Sequence, residues 1–107
     1  MKNLLLTNSS ANQVHELLKP SSGFGSISSL CLTNSESSGA VAISLYIEVP
    51  SSIGKSLETF YILRNTVIPE GAALLLDQAP ITSFDNTKFG LYLSIEGSSD
   101  SVSVMIL

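Results

Sequence analysis

The chain has 107 residues, which suits one domain with one core, and its net charge of −4 leaves five cations, Lys2, Lys19, Lys55, Arg64 and Lys88, scattered singly. No basic patch exists to hold a phosphate backbone, so nucleic acid is excluded as an expected partner. One cysteine, Cys31, and one histidine, His15, supply neither an internal disulfide nor a zinc ligand set.

In chain order, Lys2–Thr7 reads as a first strand closed by Asn8-Ser9-Ser10. Its three leucines are fewer than the ~7–15 residues of a signal-peptide core. No stretch approaches the ~20 apolar residues of a membrane span, so a soluble, non-exported chain with no membrane partner is expected. Asn8-Ser9-Ser10 also matches a glycosylation sequon, with nothing else to indicate a secretory route. Residues 12–19 fit either one helical turn or a strand; Pro20 disfavours helix at Lys19, which favours the strand. Residues 1–20 can therefore act as an N-terminal arm or an edge strand of a single domain, 1–107.

Pro20-Ser21-Ser22-Gly23 is a turn. The next strand is expected over 24–33, with Ile27 and Cys31 on one face and Leu30 and Leu32 on the other; Cys31 reads as a small buried hydrophobe. A polar loop, 34–39, leads to the cleanest alternation in the chain. Val41, Ile43, Leu45, Ile47 and Val49 face one way, and Ala42, Ser44, Tyr46 and Glu48 the other, as in a strand with one buried face. The longest loop, 50–56, precedes a strand over 57–64. Strict alternation there sets Leu57, Thr59, Tyr61 and Leu63 against Glu58, Phe60, Ile62 and Arg64. Pro69-Glu70-Gly71 turns into a strand over 72–77, residues 81–88 read as loop, and strands follow over 89–96 and 101–107.

Seven to eight short strands with turns every ~8–12 residues specify an all-β fold. The expected architecture is an antiparallel β-sandwich, jelly-roll-like or immunoglobulin-like.

In a sandwich only one face of each sheet meets the core. Strands 24–33 and 57–64 and the C-terminus carry apolar residues on both faces, and Leu75 does so between Leu74 and Leu76. A bend that brings both faces inward would explain this; so would a subunit interface. The candidate interface residues are Leu4, Leu6, Phe60, Tyr61, Ile62, Leu63, Met105 and Leu107. The N-terminal residues 2–7 could instead add a strand to a neighbour.

Chemistry is sparse. No Gly-x-Ser-x-Gly elbow exposes a nucleophile, and His15 sits beside Glu16 but on the opposite strand face. No phosphate loop is present. Asp85-Asn86-Thr87, or Glu96 with Asp100, could offer oxygens to calcium, but turns use Asp and Asn for backbone reasons alone. No catalytic residue, metal ligand or cofactor is expected, and the chain does not read as an enzyme. Tyr46, Tyr61 and Tyr92 are candidates for a carbohydrate-binding or adhesin-like platform, weakened by the absence of tryptophan.

A resemblance rests on the order of several segments. Ser29-Leu30-Cys31-Leu32-Thr33-Asn34-Ser35-Glu36 looks like a strand followed by a Thr-Asn-Ser-acid turn, and Ser44-Leu45-Tyr46-Ile47 comes next. Tyr61-Ile62-Leu63-Arg64-Asn65-Thr66-Val67-Ile68-Pro69-Glu70-Gly71 is similar to a tyrosine-aliphatic-leucine strand with an Ile-Pro-x-Gly turn. Phe84-Asp85-Asn86-Thr87-Lys88-Phe89-Gly90-Leu91 and Val102-Ser103-Val104 complete the order. Together they resemble small all-β virion structural proteins of tailed bacteriophages, over nearly the whole chain after residue 24. The resemblance implies a structural protein of the virion, in symmetric copies, made in the host cytoplasm. Its partners would be itself and other virion proteins such as the major capsid, neck or tail protein. A capsid decoration protein is the leading expectation, with a neck, collar or tail component as the alternative.

Overall fold

The computed structural model describes residues 2–22, 27–35, 39–49 and 58–107. The expected start of the third strand at 24–26, part of the polar loop (36–38) and the segment 50–57 lie outside the described residues. Among the described residues there are eight strands: β1 Lys2–Thr7, β2 Gln13–Leu18, β3 Leu30–Asn34, β4 Val41–Val49, β5 Glu58–Ile68, β6 Ala73–Leu76, β7 Gly90–Ile95 and β8 Ser101–Ile106. They form two four-stranded antiparallel sheets, ordered β1-β8-β3-β6 and β2-β7-β4-β5, packed as a β-sandwich.

The pairing has a simple rule. β1 pairs with β8, β2 with β7, β3 with β6 and β4 with β5, so the chain runs as one long antiparallel ribbon. The ribbon folds on itself through two further pairings, β3 with β8 and β4 with β7. That order is a jelly roll, one of the two architectures that period-two alternation alone left open.

Alternation decides which residues fill the interior. Leu30 and Leu32 from β3, Ile43 and Leu45 from β4, Leu91, Leu93 and Ile95 from β7, and Val102, Val104 and Ile106 from β8 are all buried in one core. Leu4 and Leu6 of β1 pack against it from the edge. Two buried asparagines join the sheets. The Asn8 side chain donates to the carbonyls of Ile95 and Gly97, at 2.6 and 3.0 Å. The Asn34 side chain donates to those of Gly39 and Ile68, at 2.9 and 3.0 Å. Ile95 and Ile68 lie on the opposite sheet, so each amide satisfies carbonyls there that the core hides from water.

Bulges re-phase two strands. In β2 the register slips between Glu16 and Leu18, which lets Leu17 and Leu18 both turn inward where strict alternation would expose one. In β5 the pairing with β4 slips on either side of Leu45. Asn65, at φ 49°, supplies the left-handed kink, and its backbone N–H donates to Ser44 Oγ at 3.0 Å.

These slips correct two sequence expectations. Tyr61 pairs with the outward Tyr46 and Leu63 with the inward Leu45, so the two do not share a face as the unbroken alternation required. β5 also continues past residue 64 to Ile68. In β3, Ile27 and Cys31 are not partners on one face: Ile27 lies buried in the core ahead of the strand, and Cys31 is half-buried on the outer face.

Candidate functional site

The outer face of the β2-β7-β4-β5 sheet carries a continuous row. Glu16 pairs with Tyr92, Tyr92 with Tyr46, and Tyr46 with Tyr61, so one residue from each strand stands in register across the sheet. Tyr46 and Tyr92 stack with centroids 5.7 Å apart at 23°, and Tyr46 and Tyr61 meet at 5.4 Å and 53°. At those separations each ring covers part of its neighbour's face, and Tyr46 in the middle keeps only 9% exposure. The Arg64 guanidinium closes the far end, 4.9 Å from the Tyr61 centroid, a cation–π distance.

Gly90 makes room for the row. A Cβ there would meet the Tyr92 ring and hydroxyl at 2.7–2.9 Å, so Tyr92 leans along its own strand over the glycine. Desolvation, with Glu48 and the neighbouring tyrosines, pushes the Tyr46 phenol above its usual value. Tyr92 is raised chiefly by desolvation, then by the charges of Glu16 and Glu48 and a hydrogen bond to Glu16. Tyr46 and Tyr92 therefore keep their protons more firmly than free phenols, and the row has an acidic residue, Glu16, at one end and a cationic one, Arg64, at the other.

The outer face of the other sheet is built differently. Met105 lies between Asn3 of β1 and Cys31 of β3, and Cys31 lies beside Leu75 of β6. Leu5 on β1 is 68% exposed, Leu75 60% and Met105 42%. Leu5 and Met105, with Cys31, border a shallow hollow of about 430 Å³. Toward the far end the face turns polar, where Thr7 meets Ser101 at 2.9 Å and Ser35 meets Ser103 at 2.6 Å through their hydroxyls.

The candidate interface residues separate accordingly. Phe60 and Tyr61, neighbours in sequence, are 54% and 50% exposed, and Met105 and Leu107 are exposed too. Phe60 pairs with the inward Ile47 but sits on an edge strand, where it meets Phe89 edge-on at 5.8 Å. Ile62 and Leu63 are half-buried against the core, as are Leu4 and Leu6. The exposed leucine of β1 is Leu5, which alternation within Leu4-Leu5-Leu6 could have identified. Val67, exposed on β5, was hidden from sequence reasoning by the bulge at Asn65.

The remaining polar candidates are engaged in the fold. His15 Nε2 lies 2.7 Å from Asn8 Oδ1. Because the Asn8 amide nitrogen already donates to two carbonyls, its oxygen must accept, so Nε2 carries the proton. Burial lowers the His15 pKa. The sequon asparagine is thus 3% exposed with both amide atoms bonded, an arrangement closed to a glycan.

Asp85 accepts from the backbone N–H and the hydroxyl of Thr87, an Asx turn, and those bonds hold its carboxyl below the usual range. Asn86 donates to the carbonyls of Lys19 and Phe89 at 3.1 and 3.0 Å. Among the described residues no three His, Cys, Asp or Glu side chains come together.

Compared with models of protein families and with curated proteins, the chain matches none.

Proposed function

We propose that this jelly roll is a non-catalytic structural protein that associates through its outer sheet faces. The assembly it builds, on the resemblance drawn from its ordered segments, is a virion of a tailed bacteriophage. The leading role is a capsid decoration protein on a symmetric lattice, with a neck, collar or tail component as the alternative.

The observation that carries this reading is exposed apolar surface over a core that is already filled. Leu5, Leu75 and Met105 stand out on one sheet, and Val14, Tyr61 and Val67 on the other. Exposed apolar groups gathered on opposite faces mark interaction surfaces. Burying a side chain of this size contributes roughly 1.5–3 kcal/mol, and several per subunit offset the ~4–15 kcal/mol cost of association. A lattice multiplies each modest contact by the number of copies. Jelly rolls occur in viral capsid and in lectin domains, so the architecture accommodates the role without assigning it.

The experiment is the solution mass by light scattering over a range of concentrations. The wild-type chain is expected to exceed the 11.3 kDa of one copy. Val67→Asp and Met105→Asp, one on each outer face, should leave the fold intact by circular dichroism and lower that mass. A wild-type chain that stays monomeric at millimolar concentration overturns the proposal.

A second reading, a glycan-binding or adhesin-like module, draws support from the gathered tyrosines. Binding on a glycan array that Tyr61→Ala or Tyr92→Ala abolishes would favour it over the first.

A further inference from the structure

The tyrosine row has opposite charges at its two ends. Glu16 lies on edge strand β2 and Arg64 on edge strand β5, with β7 and β4 between them. Three strand spacings separate the two edges, about 14 Å, too far for the two charges to pair within one chain. Both side chains are exposed, and the one described ion pair, Lys88 with Glu58 at 3.8 Å, involves neither.

A row that reads acid, tyrosine, tyrosine, tyrosine, arginine is complementary to its own reverse. Take a two-fold axis parallel to the strands, lying in the plane between two copies and centred between β7 and β4. It sets the faces against each other and reverses the row. β2 of one copy then lies over β5 of the other, so Glu16 lies over Tyr61, against whose ring the Arg64 guanidinium rests, and acid and guanidinium are brought together twice, once on each side of the axis. Tyr46 lies over Tyr92 of the second copy. The same rotation lays Val14, exposed on β2, over β5 of the second copy, the strand that carries Val67. Glu48 pairs across the sheet with Gly90. Reversal therefore sets it over that glycine of the second copy, and no carboxylate is placed directly on another.

From this self-complementarity we infer that the outer face of the β2-β7-β4-β5 sheet is an isologous interface with a second copy of the chain, closed by two Glu16–Arg64 pairs. This deepens the self-association reading above and rests on it. Four strands at ~4.8 Å spacing, each of six or more residues at ~3.4 Å, give a face of roughly 400–600 Å². A standard stable interface buries ~800 Å² per partner. The contact by itself is therefore weak, and becomes persistent where a lattice adds to it.

Charge exchange tests it. Glu16→Arg sets arginine against arginine at both ends of the interface, and Arg64→Glu sets glutamate against glutamate. Each variant alone should associate about tenfold more weakly than wild type by sedimentation equilibrium. An equimolar mixture of the two forms a heterodimer in which both pairs are again opposite in sign, so association should return to within about threefold of wild type. The Glu16→Arg/Arg64→Glu double variant should return likewise. If the single variants associate like wild type, or the mixture fails to recover, this interface is wrong and the chain associates through another surface. If the wild type itself stays monomeric at millimolar concentration, the self-association reading falls with it.

Discussion

The two outer faces of this sandwich differ in how their apolar groups are connected. On the β1-β8-β3-β6 sheet, Leu5, Leu75 and Met105 stand more than 40% exposed around a half-buried cysteine, and the rest of the face is tied by hydroxyl pairs. On the β2-β7-β4-β5 sheet, three tyrosines from three adjacent strands support one another, and the central ring is nearly hidden. The first face therefore contributes little to its own chain's stability and leaves most of its apolar surface for a partner. The second is a small core laid on the outside of a sheet: it stabilises the monomer and also presents ordered edges and charges. A sheet face can thus be apolar in two physically distinct ways, and mutation separates them.

The largest effect belongs to the centre of the row. Tyr46→Ala removes a nearly buried aromatic side chain and both of its ring contacts. Aromatic-to-Ala changes at buried sites cost ~3–5 kcal/mol, and the aromatic pairs themselves account for ~0.5–1.5 kcal/mol each. A loss of about 3 kcal/mol in urea unfolding is expected, with Tyr46→Phe close to wild type. A loss below about 1 kcal/mol for the alanine variant would mean that the row is not a cohesive unit.

Next come the amides that couple the two faces from within. Asn8→Ala strips the Ile95 and Gly97 carbonyls and His15 Nε2 of their partner. An unmet buried polar group costs ~1–3 kcal/mol, so about 2 kcal/mol is expected. Asn34→Ala, which frees the Gly39 and Ile68 carbonyls, should cost a similar amount. If the two differ widely, the sheets are not joined in equivalent ways at these points.

Smaller effects follow from pH, and they have opposite signs on the two sides of neutrality. His15 is held below its ordinary pKa of 6.5 by burial, so as pH falls the unfolded chain takes up that proton first. Its contribution to stability is complete above about pH 6.5 and is lost as pH falls from there through the folded-state pKa. Tyr46 and Tyr92 are raised, so the unfolded chain releases those protons first. Their contribution is complete below about pH 10 and is lost as pH rises beyond it. Urea midpoints across the pH range should show both flanks. Replacing His15 with Gln should flatten the acidic one, and Tyr46→Phe should reduce the alkaline one.

Most of the framework was legible in the sequence because each strand repeats with period two and ends at Pro, Gly, Asn or Ser. Each of the eight strands overlaps the span that pattern set, including β2, where helix was the competing reading, but β3 is confined to Leu30–Asn34 against the expected 24–33 and β5 runs on past 64 to Ile68. Three features were not legible. The jelly-roll order depends on which strands pair, and alternation is blind to pairing. The bulges in β2 and β5 each insert a residue that no local signal marks beforehand, although Asn65 is of the type that tolerates a left-handed backbone. The tyrosine row joins residues 16, 46, 61 and 92, far apart in the chain, so the three tyrosines could be named from sequence but not assembled, and Glu16 and Arg64 went unnoticed as its ends.

The smallest expected effect sharpens the contrast most. Leu5→Ser and Leu75→Ser remove exposed leucines from β1 and β6, the two edge strands of their sheet. Neither side chain fills the core, so neither change opens a cavity, and surface substitutions of this kind stay within about 0.5 kcal/mol. Their effect on the folded monomer should be the reverse of Tyr46→Ala: nearly unchanged stability, with lower light-scattering mass and higher solubility. Unchanged stability and unchanged mass together would make the aliphatic face inert and leave the tyrosine face as the surface on which association depends. A stability loss above about 1 kcal/mol would show that these leucines are held by their own chain, and the distinction between the two faces would disappear.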